Sequence, residues 1–392
     1  MSTLSHLCTL RAGIGFPRDE QGGTTGDLPW IKVSDMSIPG NQHYVTTAMN
    51  WVTVGAAERL GAVAAPSGSV VFAKIGEGLK AERLRILTRP TVLDNNMMAA
   101  VPTEGCFPRY LYYVLQFVGI SKWAVGSALP YLTQRRLNDV PVPTFPPAEQ
   151  RAIAEVLGAL DDKIAANDHA SRTMWDLREA EFRLATAHGA ATSALTSVSS
   201  MIARGGPPRY VEDADCPRVL NQKCVRGGDI HLEHARRTSA SAVRSGSYLM
   251  RHDILVNSTG MGTLGRVAQW MRLETATVDS HLTIVRPDPD RVHPAVLGLG
   301  LMGMERDIEG LAEGSTGQTE LPRAQLAALE VVLPAWEQQR ALGNRWEQMA
   351  ASSIALSDES VRLAALRDAL LPELMSGRMR VKDAVREVEG VL

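Results

Sequence analysis

Residues 146–164 read PPAEQRAIAEVLGALDDKI, and residues 334–350 read PAWEQQRALGNRWEQMA. In each stretch a proline and a Glu-Gln pair precede a long run with apolar residues at helical spacing. A proline and an acidic residue are typical of the first turn of a helix, so both stretches predict a helix start. Glu149 and Glu337 lie 188 positions apart, and this recurrence predicts one folded module present twice.

Other landmarks recur at nearly the same interval and in the same order. The matched positions are 13–17 with 205–208, 70–76 with 254–260, 94–96 with 279–281, 108 with 294, 126–127 with 314–315, and 177–180 with 366–369. Chance similarity between two α+β domains is the alternative, but it does not account for the shared order. The repeat predicts a chain with an internal pseudo-two-fold axis.

Both helical runs carry apolar residues at steps of three and four, the spacing of a coiled-coil seam. The predicted helix-pairing residues are Ile153, Leu157, Leu160, Ile164 and Met174 in the first run, and Leu342, Trp346, Met349, Leu356, Leu363 and Leu370 in the second. Polar residues continue the seam at Ser171, Ser353, Ser360 and Arg367, where they can fix the register. About 40 residues predict a helix roughly 60 Å long. The alternative is two amphipathic helices that each pack on their own domain.

The remaining segments are rich in glycine, proline and short β-branched runs, which predict short strands with a few helices, such as those near 108–118 and 294–304. The fold class is α+β, with two mixed α/β domains separated by two long antiparallel helices. The predicted bounds are 1–147 and 189–335 for the domains, 148–188 and 336–376 for the helices, and 377–392 for a C-terminal tail. The uncharged stretch 190–200 predicts a join.

Composition narrows the class of protein. The 392 residues are 45% hydrophobic and 21% charged, as is typical of globular proteins. No apolar run is long enough for a membrane span, and the four cysteines form no CxxC pair, so we expect a cytoplasmic protein without a membrane partner. The net charge of −2 hides a basic excess in residues 1–147, with 13 Lys and Arg against 10 Asp and Glu, and in residues 200–286, with 12 against 8. Nucleic-acid binding and a solvated mixed surface explain that excess about equally well.

Taken together, these stretches resemble the specificity (S) subunit of type I restriction-modification enzymes. The residues that carry the resemblance are GIGFP at 13–17, WIKVSDM at 30–36, VLNQK at 219–223, GSTGQTEL at 314–321, the two helix starts, and LLPELMSG at 370–377. The resemblance covers nearly the whole chain. One departure is Ala-Leu-Pro at 128–130 where the second copy has Thr-Gly-Gln at 316–318, so this loop need not contact DNA equivalently in both copies.

The resemblance implies a non-catalytic DNA-recognition subunit of a bacterial phage-defence complex. Each target recognition domain would read one half of an asymmetric, bipartite double-stranded DNA sequence, and the paired helices would set the distance between the halves. The helices would also bind two methyltransferase (modification) subunits, through which endonuclease/translocase (restriction) subunits join. This chain would bind no cofactor or metal, while S-adenosylmethionine, ATP and Mg would be bound by the partner subunits.

Polar side chains in the loops are the candidates for contact with bases and phosphates, since amides pair with adenine and guanidinium groups with guanine. In the first domain the candidates are Lys32, Ser34, Lys74, Gln134 and Arg135. In the second they are Asn221, Gln222, Lys223, Arg226, Asn257, Thr259, Arg266, Gln318 and Thr319. For any one of them a solvated or turn-capping role is the alternative. The glycine-rich stretch 260–265 predicts either a hairpin near the DNA backbone or a simple tight turn.

Motifs of catalysis are missing from the sequence. It contains no Walker A sequence, no HExxH, no GxSxG and no Pro-Pro-Tyr/Phe motif of amino-methyltransferases, and its nine histidines are scattered. Recognition by this chain and catalysis by its partners is therefore the favoured interpretation. The alternatives are a coiled-coil scaffold or adaptor of a defence complex, whose mixed domains bind protein, and a divergent nuclease or methyltransferase.

Overall fold

A computed structural model of the chain describes residues 2–187, 189–244, 246–314 and 319–392. Its internal contacts divide the chain into two compact units. Unit 1 comprises Met1–His169 and Ser357–Leu392, and unit 2 comprises Ala170–Leu356. Among the residues described, no helix is both long and apolar enough to cross a membrane.

Unit 1 contains the first mixed domain, whose core strands are fully buried. Its strands are β1 (Ser2–Thr3), β2 (Cys8–Ala12), β3 (Leu28–Ile31), β4 (Tyr44–Val45), β5 (Trp51–Val52), β6 (Val70–Ala73), β7 (Leu84–Leu87), β8 (Val92–Leu93), β9 (Met97–Pro102) and β10 (Pro141–Val142). Its short helices are α1 (Val54–Arg59), α2 (Gly76–Lys80), α3 (Pro108–Val118) and α4 (Gln134–Asn138). The strands form sheets in the orders β2-β9-β6-β7-β4 and β5-β3-β8, and β1 pairs with β10.

The first long helix, α5, spans Pro147–Ala187, and the second mixed domain follows it in unit 2. The strands of this domain are β11 (Ala191–Ala194), β12 (Ser199–Arg204), β13 (Tyr210–Val211), β14 (Arg218–Leu220), β15 (Val225–Arg226), β16 (Asp229–Ile230), β17 (Arg236–Thr238), β18 (Ile254–Asn257), β19 (Val267–Gln269), β20 (Ala276–Val278), β21 (Leu282–Pro287) and β22 (Glu330–Leu333). Its short helices are α6 (Pro294–Met302), α7 (Glu305–Gly310) and α8 (Arg323–Ala328). The second long helix, α9, spans Trp336–Met375, and α10 (Val381–Glu389) ends the chain.

The two domains share one topology, which confirms the internal repeat. Unit 2 contains a sheet in the order β12-β21-β18-β19, which corresponds to β2-β9-β6-β7 of unit 1. Strand β14 pairs in parallel with β20 as β3 pairs with β8, and β11 pairs with β22 as β1 pairs with β10. In both units a glycine allows a close backbone approach. A Cβ atom on Gly13 would overlap the carbonyl oxygens of Leu93 and Asp94, and one on Gly205 those of Val278 and Asp279.

Both long helices begin with the same capping glutamine. The Gln150 side chain accepts a hydrogen bond from the amide of Phe107 (3.2 Å) and donates one to the carbonyl of Phe145 (2.9 Å). Gln339 accepts from the amide of His293 (3.0 Å) and donates to the carbonyl of Pro334 (2.8 Å). Gln150 therefore corresponds to Gln339, an interval of 189 residues. The pairing of Glu149 with Glu337 from the sequence is wrong by one residue.

Within unit 1, α5 and α9 run antiparallel and join through a buried ion pair. The carboxylate of Asp161, only 1% exposed, accepts hydrogen bonds from Arg367 Nη1 (2.7 Å) and Tyr113 Oη (2.5 Å). Further along α5, Asn167 Nδ2 donates to Glu359 Oε2 (2.7 Å), which lies earlier in α9 and so sets the antiparallel direction. Burial raises the pKa of the Tyr113 hydroxyl, so it remains a hydrogen-bond donor.

Within unit 2 the same two helices are again antiparallel, but a different pair joins them. Glu181 of α5 accepts a hydrogen bond from the indole Nε1 of Trp346 (2.6 Å) and forms an ion pair with Arg345. Phe182 packs beside Trp346, with ring centroids 6.2 Å apart. The predicted fold class, with two mixed domains and two long antiparallel helices, is therefore confirmed.

The predicted seam residues differ in burial. Ile153, Leu157, Leu160, Leu363 and Leu370 are buried in the core of unit 1, with Ile164 partly buried against them. Trp346 is buried in a core cluster of unit 2, with Leu342 and Met349 packed against it. Met174 and Leu356 are half-buried. The helices thus share their seam with the domain cores.

Three details depart from the sequence-based expectation. The stretch 190–200, which was expected to be a join, contains β11 and the start of β12, because its backbone pairs with β22 and β21. The predicted helix near 294–304 ends at Met302, and α7 follows it. The C-terminal segment is not an extended tail, since α10 buries Ala384 and Val388 in the core of unit 1.

Removing Arg367 should destabilise unit 1, because the variant Arg367→Met leaves the Asp161 carboxylate buried without its cation. We expect the free energy of unfolding to fall by about 3 kcal/mol, as for other broken buried pairs. Urea denaturation would measure it. Arg183→Met is the matched control, because Arg183 pairs with Glu179 on the exposed surface of the same helix pair. Equal effects of the two substitutions would contradict the role given to the buried pair.

Candidate nucleic-acid interface

In unit 1 the ends of β3, β6 and β8 meet at one edge of the domain. The amide of Asp94 donates to the carbonyl of Ile31 (2.9 Å), and the amide of Lys74 donates to the carbonyl of Asn96 (2.8 Å). The side chains that follow these strands, Lys32, Lys74 and Asn96, are half-buried or exposed. We call the residues around these strand ends edge 1.

A loop from 125 to 131 closes edge 1. The backbone of Tyr131 pairs with Val125 and Ile75, and the amide of Gly76 donates to the carbonyl of Pro130 (2.8 Å). Leu129 and Tyr131 are 57% and 44% exposed, so this loop presents apolar surface beside the polar strand ends. The next helix, α4, carries the predicted residues Gln134 and Arg135, both exposed.

Unit 2 contains the same edge with the same backbone bonds, which we call edge 2. The amide of Asp279 donates to the carbonyl of Leu220 (2.9 Å), and the amide of Ser258 to that of His281 (2.9 Å). The carbonyl of Ser258 also accepts from the amide of Leu321 (2.8 Å), as the carbonyl of Lys74 accepts from Leu132 (2.8 Å).

The side chains at equivalent places of the two edges are different. Asn221 stands in place of Lys32, Lys223 in place of Ser34, Ser258 in place of Lys74, and His281 in place of Asn96. Two edges with one backbone geometry thus present different patterns of donors, acceptors and charge. Such a pair can recognise two different ligand patterns in the same manner.

Several predicted residues are exposed and suited to contact a ligand. These are Ser34, Gln134 and Arg135 in unit 1, and Lys223 and Arg226 in unit 2. Thr259, Arg266 and Thr319 are half-buried. Gln318 lies outside the described residues. The structure brings Thr259 next to His281, with Oγ1 and Nδ1 2.6 Å apart, and the guanidinium of Arg266 donates to the carbonyl of Gly262 (2.8 Å).

The polar groups of other predicted residues form hydrogen bonds within the protein. Lys32 Nζ donates to Gln21 Oε1 (2.5 Å) and lies 5.3 Å from the centre of the Phe16 ring. Asn221 donates to the carbonyl of His234 (2.7 Å) and accepts from the amide of Lys223 (2.8 Å). These bonds fix the turn that follows each strand.

Asn257 is not positioned to read a base. It is fully buried, and its amide nitrogen donates to the carbonyls of Gln222 (3.0 Å) and Thr263 (2.9 Å). Both amide hydrogens are therefore used to hold the glycine-rich turn at 260–265 against the loop after β14. That stretch is a tight turn, with positive φ angles at Gly260, Gly262 and Gly265. The sequence could not reveal this role, because Asn257 lies at the end of a strand where either orientation is compatible with the pattern.

Edge residues that the sequence-based choice omitted are Asn96, His281 and Tyr131. Asn96 and His281 lie in the stretches 94–96 and 279–281, which recur in the sequence as landmarks of the repeat and carry no predicted DNA-binding residue. Asn96 and His281 are different side chains at equivalent positions of a duplicated segment, and this difference is the sequence signal that could have indicated them as site residues. Among the residues that the structure describes, no cluster of His, Cys, Asp and Glu is arranged to hold a metal ion.

The domain that carries edge 1 is similar to a known protein family. Residues 1–171 match the family model described as the type I restriction modification DNA specificity domain. This match covers 171 of the 392 residues, less than half of the chain. Because unit 2 repeats the core sheet order of the mixed domain in unit 1, its own mixed domain is a second copy of the same fold.

Two further similarities agree with this family. The chain is 27% identical over 146 residues to the type I restriction enzyme MjaIX specificity subunit of Methanocaldococcus jannaschii. That match covers 36% of this chain and 32% of the relative, so it spans about a third of the relative's length. The crystal structure of a type I restriction-modification system S subunit from M. genitalium has a TM-score of 0.62 at 13% identity, and the match covers 95% of both chains. The latter likeness extends the shared fold beyond the specificity domain of residues 1–171.

Truncating Asn257 should loosen edge 2 and destabilise unit 2. Asn257→Ala removes the hydrogen bonds from a fully buried amide to the carbonyls of Gln222 and Thr263, which typically costs about 1–3 kcal/mol. Thermal unfolding would measure the loss, and limited proteolysis should cut near 260–265. The control is Lys223→Ala, an exposed residue on the same edge, which should leave the melting temperature unchanged. An unchanged melting temperature for Asn257→Ala would argue against the bracing role.

Proposed function

We propose that the chain is the DNA sequence-recognition subunit of a type I restriction-modification complex, and that each mixed domain reads one half of a bipartite target. The observation that supports the proposal most strongly is the pair of edges, which have matching backbone bonds and non-matching side chains. A reader needs a fixed frame that holds variable donors and acceptors. The match of residues 1–171 to the DNA specificity family supports DNA as the ligand.

An asymmetric target follows from the same observation. A protein dimer with exact two-fold symmetry reads a palindrome, because its symmetry matches that of DNA. Here Lys74 and Asn96 of edge 1 correspond to Ser258 and His281 of edge 2, so the two half-sites should differ in sequence.

The paired long helices would set the distance between the half-sites. Helix α5 has 41 residues and α9 has 40, which corresponds to a length of about 60 Å for each. One turn of B-DNA is about 34 Å, and both readers can face the same side of the duplex only near whole turns. We infer that the number of unread bases depends on the length of these helices.

Catalysis would reside in partner subunits. We propose that two methyltransferase subunits bind the helices and that endonuclease/translocase subunits join through them. S-adenosylmethionine, ATP and Mg would then be bound by these partners, and this chain would bind no cofactor.

Methylation mapping would test the function directly. A host that expresses this chain with a type I methyltransferase subunit from the same genome should gain methylation at one split, asymmetric sequence, and a host without the chain should not. Purified chain with methyltransferase should also bind that duplex selectively, with an affinity that falls steeply with salt. Protein binding without any selective DNA binding would instead support the scaffold or adaptor, and methylation or cleavage without a partner would support an enzyme.

Substitutions in one edge should alter one half of the target only. The paired variants are Lys223→Ala with His281→Ala in edge 2, and Ser34→Ala with Asn96→Ala in edge 1. Loss of one base contact typically costs about 1–3 kcal/mol, so the affected half should become roughly 5- to 100-fold less selective. Methylome sequencing would compare the variants. A change in both halves from one edge would contradict the two-reader arrangement.

Introducing a charge in the helix pair should prevent helix pairing and methyltransferase binding together. Leu363→Glu places a carboxylate at a fully buried position of α9. Val361→Glu is the control, since Val361 is 67% exposed and two residues away. Co-purification with the methyltransferase should be lost for the first variant and kept for the second. Retention by Leu363→Glu would show that the pairing does not depend on this seam.

A further inference from the structure

By the 189-residue equivalence, unit 2 contains a counterpart of only one member of the ion pair that joins the helices of unit 1. Arg367 of α9 corresponds to Arg178 of α5, and Asp161 of α5 corresponds to Ala350 of α9. Unit 1 therefore contains a half-buried arginine with its buried carboxylate, and unit 2 contains the equivalent half-buried arginine without an equivalent carboxylate. Glu181, which joins the helices in unit 2, corresponds to Leu370 and binds Trp346 and Arg345 instead.

The other acceptors near this position are also replaced. Tyr113 donates to Asp161 in unit 1, and its equivalent in α6 is the apolar Leu299. Asp162, which pairs with Arg109 in unit 1, is replaced by Ala351. Unit 2 therefore has no equivalent of this polar network at these positions, but it has the equivalent cation. A retained cation without its acceptor requires another explanation, because burying a charge is costly unless it is paired.

The side chain of Arg178 is held in place but makes no polar contact among the described residues. Its guanidinium lies 5.1 Å from the centre of the Trp175 ring, and its buried Nε has no hydrogen-bond partner in the part of the chain that the structure describes. Burial lowers the pKa of Arg178, and the charge of Asp229 opposes that shift. Burial also raises the pKa of Asp229, and the charges of His231 and Arg178 oppose that shift.

The same part of α5 supports a hairpin of unit 2. Trp175 packs against Gly228, where a Cβ atom would lie 2.8 Å from the indole ring. Gly228 lies in the turn between β15 and β16, and this hairpin carries the exposed Arg226 and Asp229. The exposed Lys223 lies three residues before Arg226. Arg178 therefore lies near a hairpin that carries one exposed cation, Arg226, and one exposed carboxylate, Asp229, with Lys223 just before it.

We propose that Arg178 is an anion receptor for a backbone phosphate of duplex DNA, and that the phosphate takes the place that Asp161 occupies beside Arg367 in unit 1. This inference rests on the proposed function and adds a contact made by the spacer helix rather than by the edges. A guanidinium group is suited to the task, because its planar donors bind two phosphate oxygens at once. Lys223 and Arg226 add positive charge next to it. A phosphate contact contributes affinity on any sequence, so Arg178 should position the duplex without reading it.

The salt dependence of binding tests this assignment. Full-length chain with its methyltransferase would be titrated with a duplex that carries the mapped target and with an unrelated duplex. Arg178→Gln should weaken binding to both duplexes by a similar factor of about 3- to 10-fold. It should also reduce the log–log salt slope by about 0.9, the value for one phosphate contact. Arg178→Lys keeps the charge and should keep the slope. Arg183→Gln changes an exposed arginine of the same helix and is the matched control.

A second variant tests the same receptor without removing Arg178. Ala350→Asp restores the carboxylate of unit 1 at the equivalent position of unit 2. It should raise the melting temperature and, because it occupies the guanidinium, weaken binding to both duplexes as Arg178→Gln does. Ala350→Asn is the uncharged control and should reproduce neither effect in full. This variant keeps the test decisive if Arg178→Gln does not fold.

Unchanged affinity and salt slope in both Arg178→Gln and Ala350→Asp would overturn the assignment. It would also be overturned if these variants lost the methyltransferase while DNA binding by the chain remained, because Arg178 would then bind a protein carboxylate. Absence of selective DNA binding by the unmodified chain is a different result, which would refute the proposed function itself.

Discussion

Burial of one face of each long helix inside a domain core is the constraint on which the rest of the structure depends. Leu157 and Leu160 of α5 and Leu363 of α9 are fully buried in one core cluster of unit 1. Each such side chain stabilises the fold by about 1.5–3 kcal/mol, so the helices are integral parts of the domains. The polar pairs, Asp161 with Arg367 and Glu181 with Trp346, then fix which residues of the two helices lie opposite each other.

The duplicated domain separates framework from recognition. Backbone hydrogen bonds at the strand ends are the same in both units, whereas Lys74 and Asn96 correspond to Ser258 and His281. Since these bonds involve only backbone groups, side chains at the edge can differ without a change in its geometry. The same separation holds along the helices, where capping by Gln150 and Gln339 is shared and the polar pairs are not.

The sequence predicts the architecture better than the individual site residues. Periodicity and the helix starts predicted α5 within one residue at each end, because long helices leave a repeating apolar pattern. The predicted pairing of Glu149 with Glu337 is wrong by one residue, because two adjacent glutamines follow Glu337. Only the hydrogen bonds of Gln339 show that it is the equivalent of Gln150. The small uncharged residues of the stretch 190–200 predict a linker, but its backbone forms strands, because the strands that pair with it are distant in sequence. Asn257 shows the same limit, since its burial depends on a turn that composition does not reveal.

The close approach at Gly13 and Gly205 has a consequence for how such a protein can diversify. Any larger residue there would push a strand away from the carbonyl groups that precede edge 1 or edge 2. These two positions must therefore remain glycine while side chains elsewhere on the edges vary. Libraries that randomise the surrounding loops can sample new specificities, provided that residues 13 and 205 are kept as glycine.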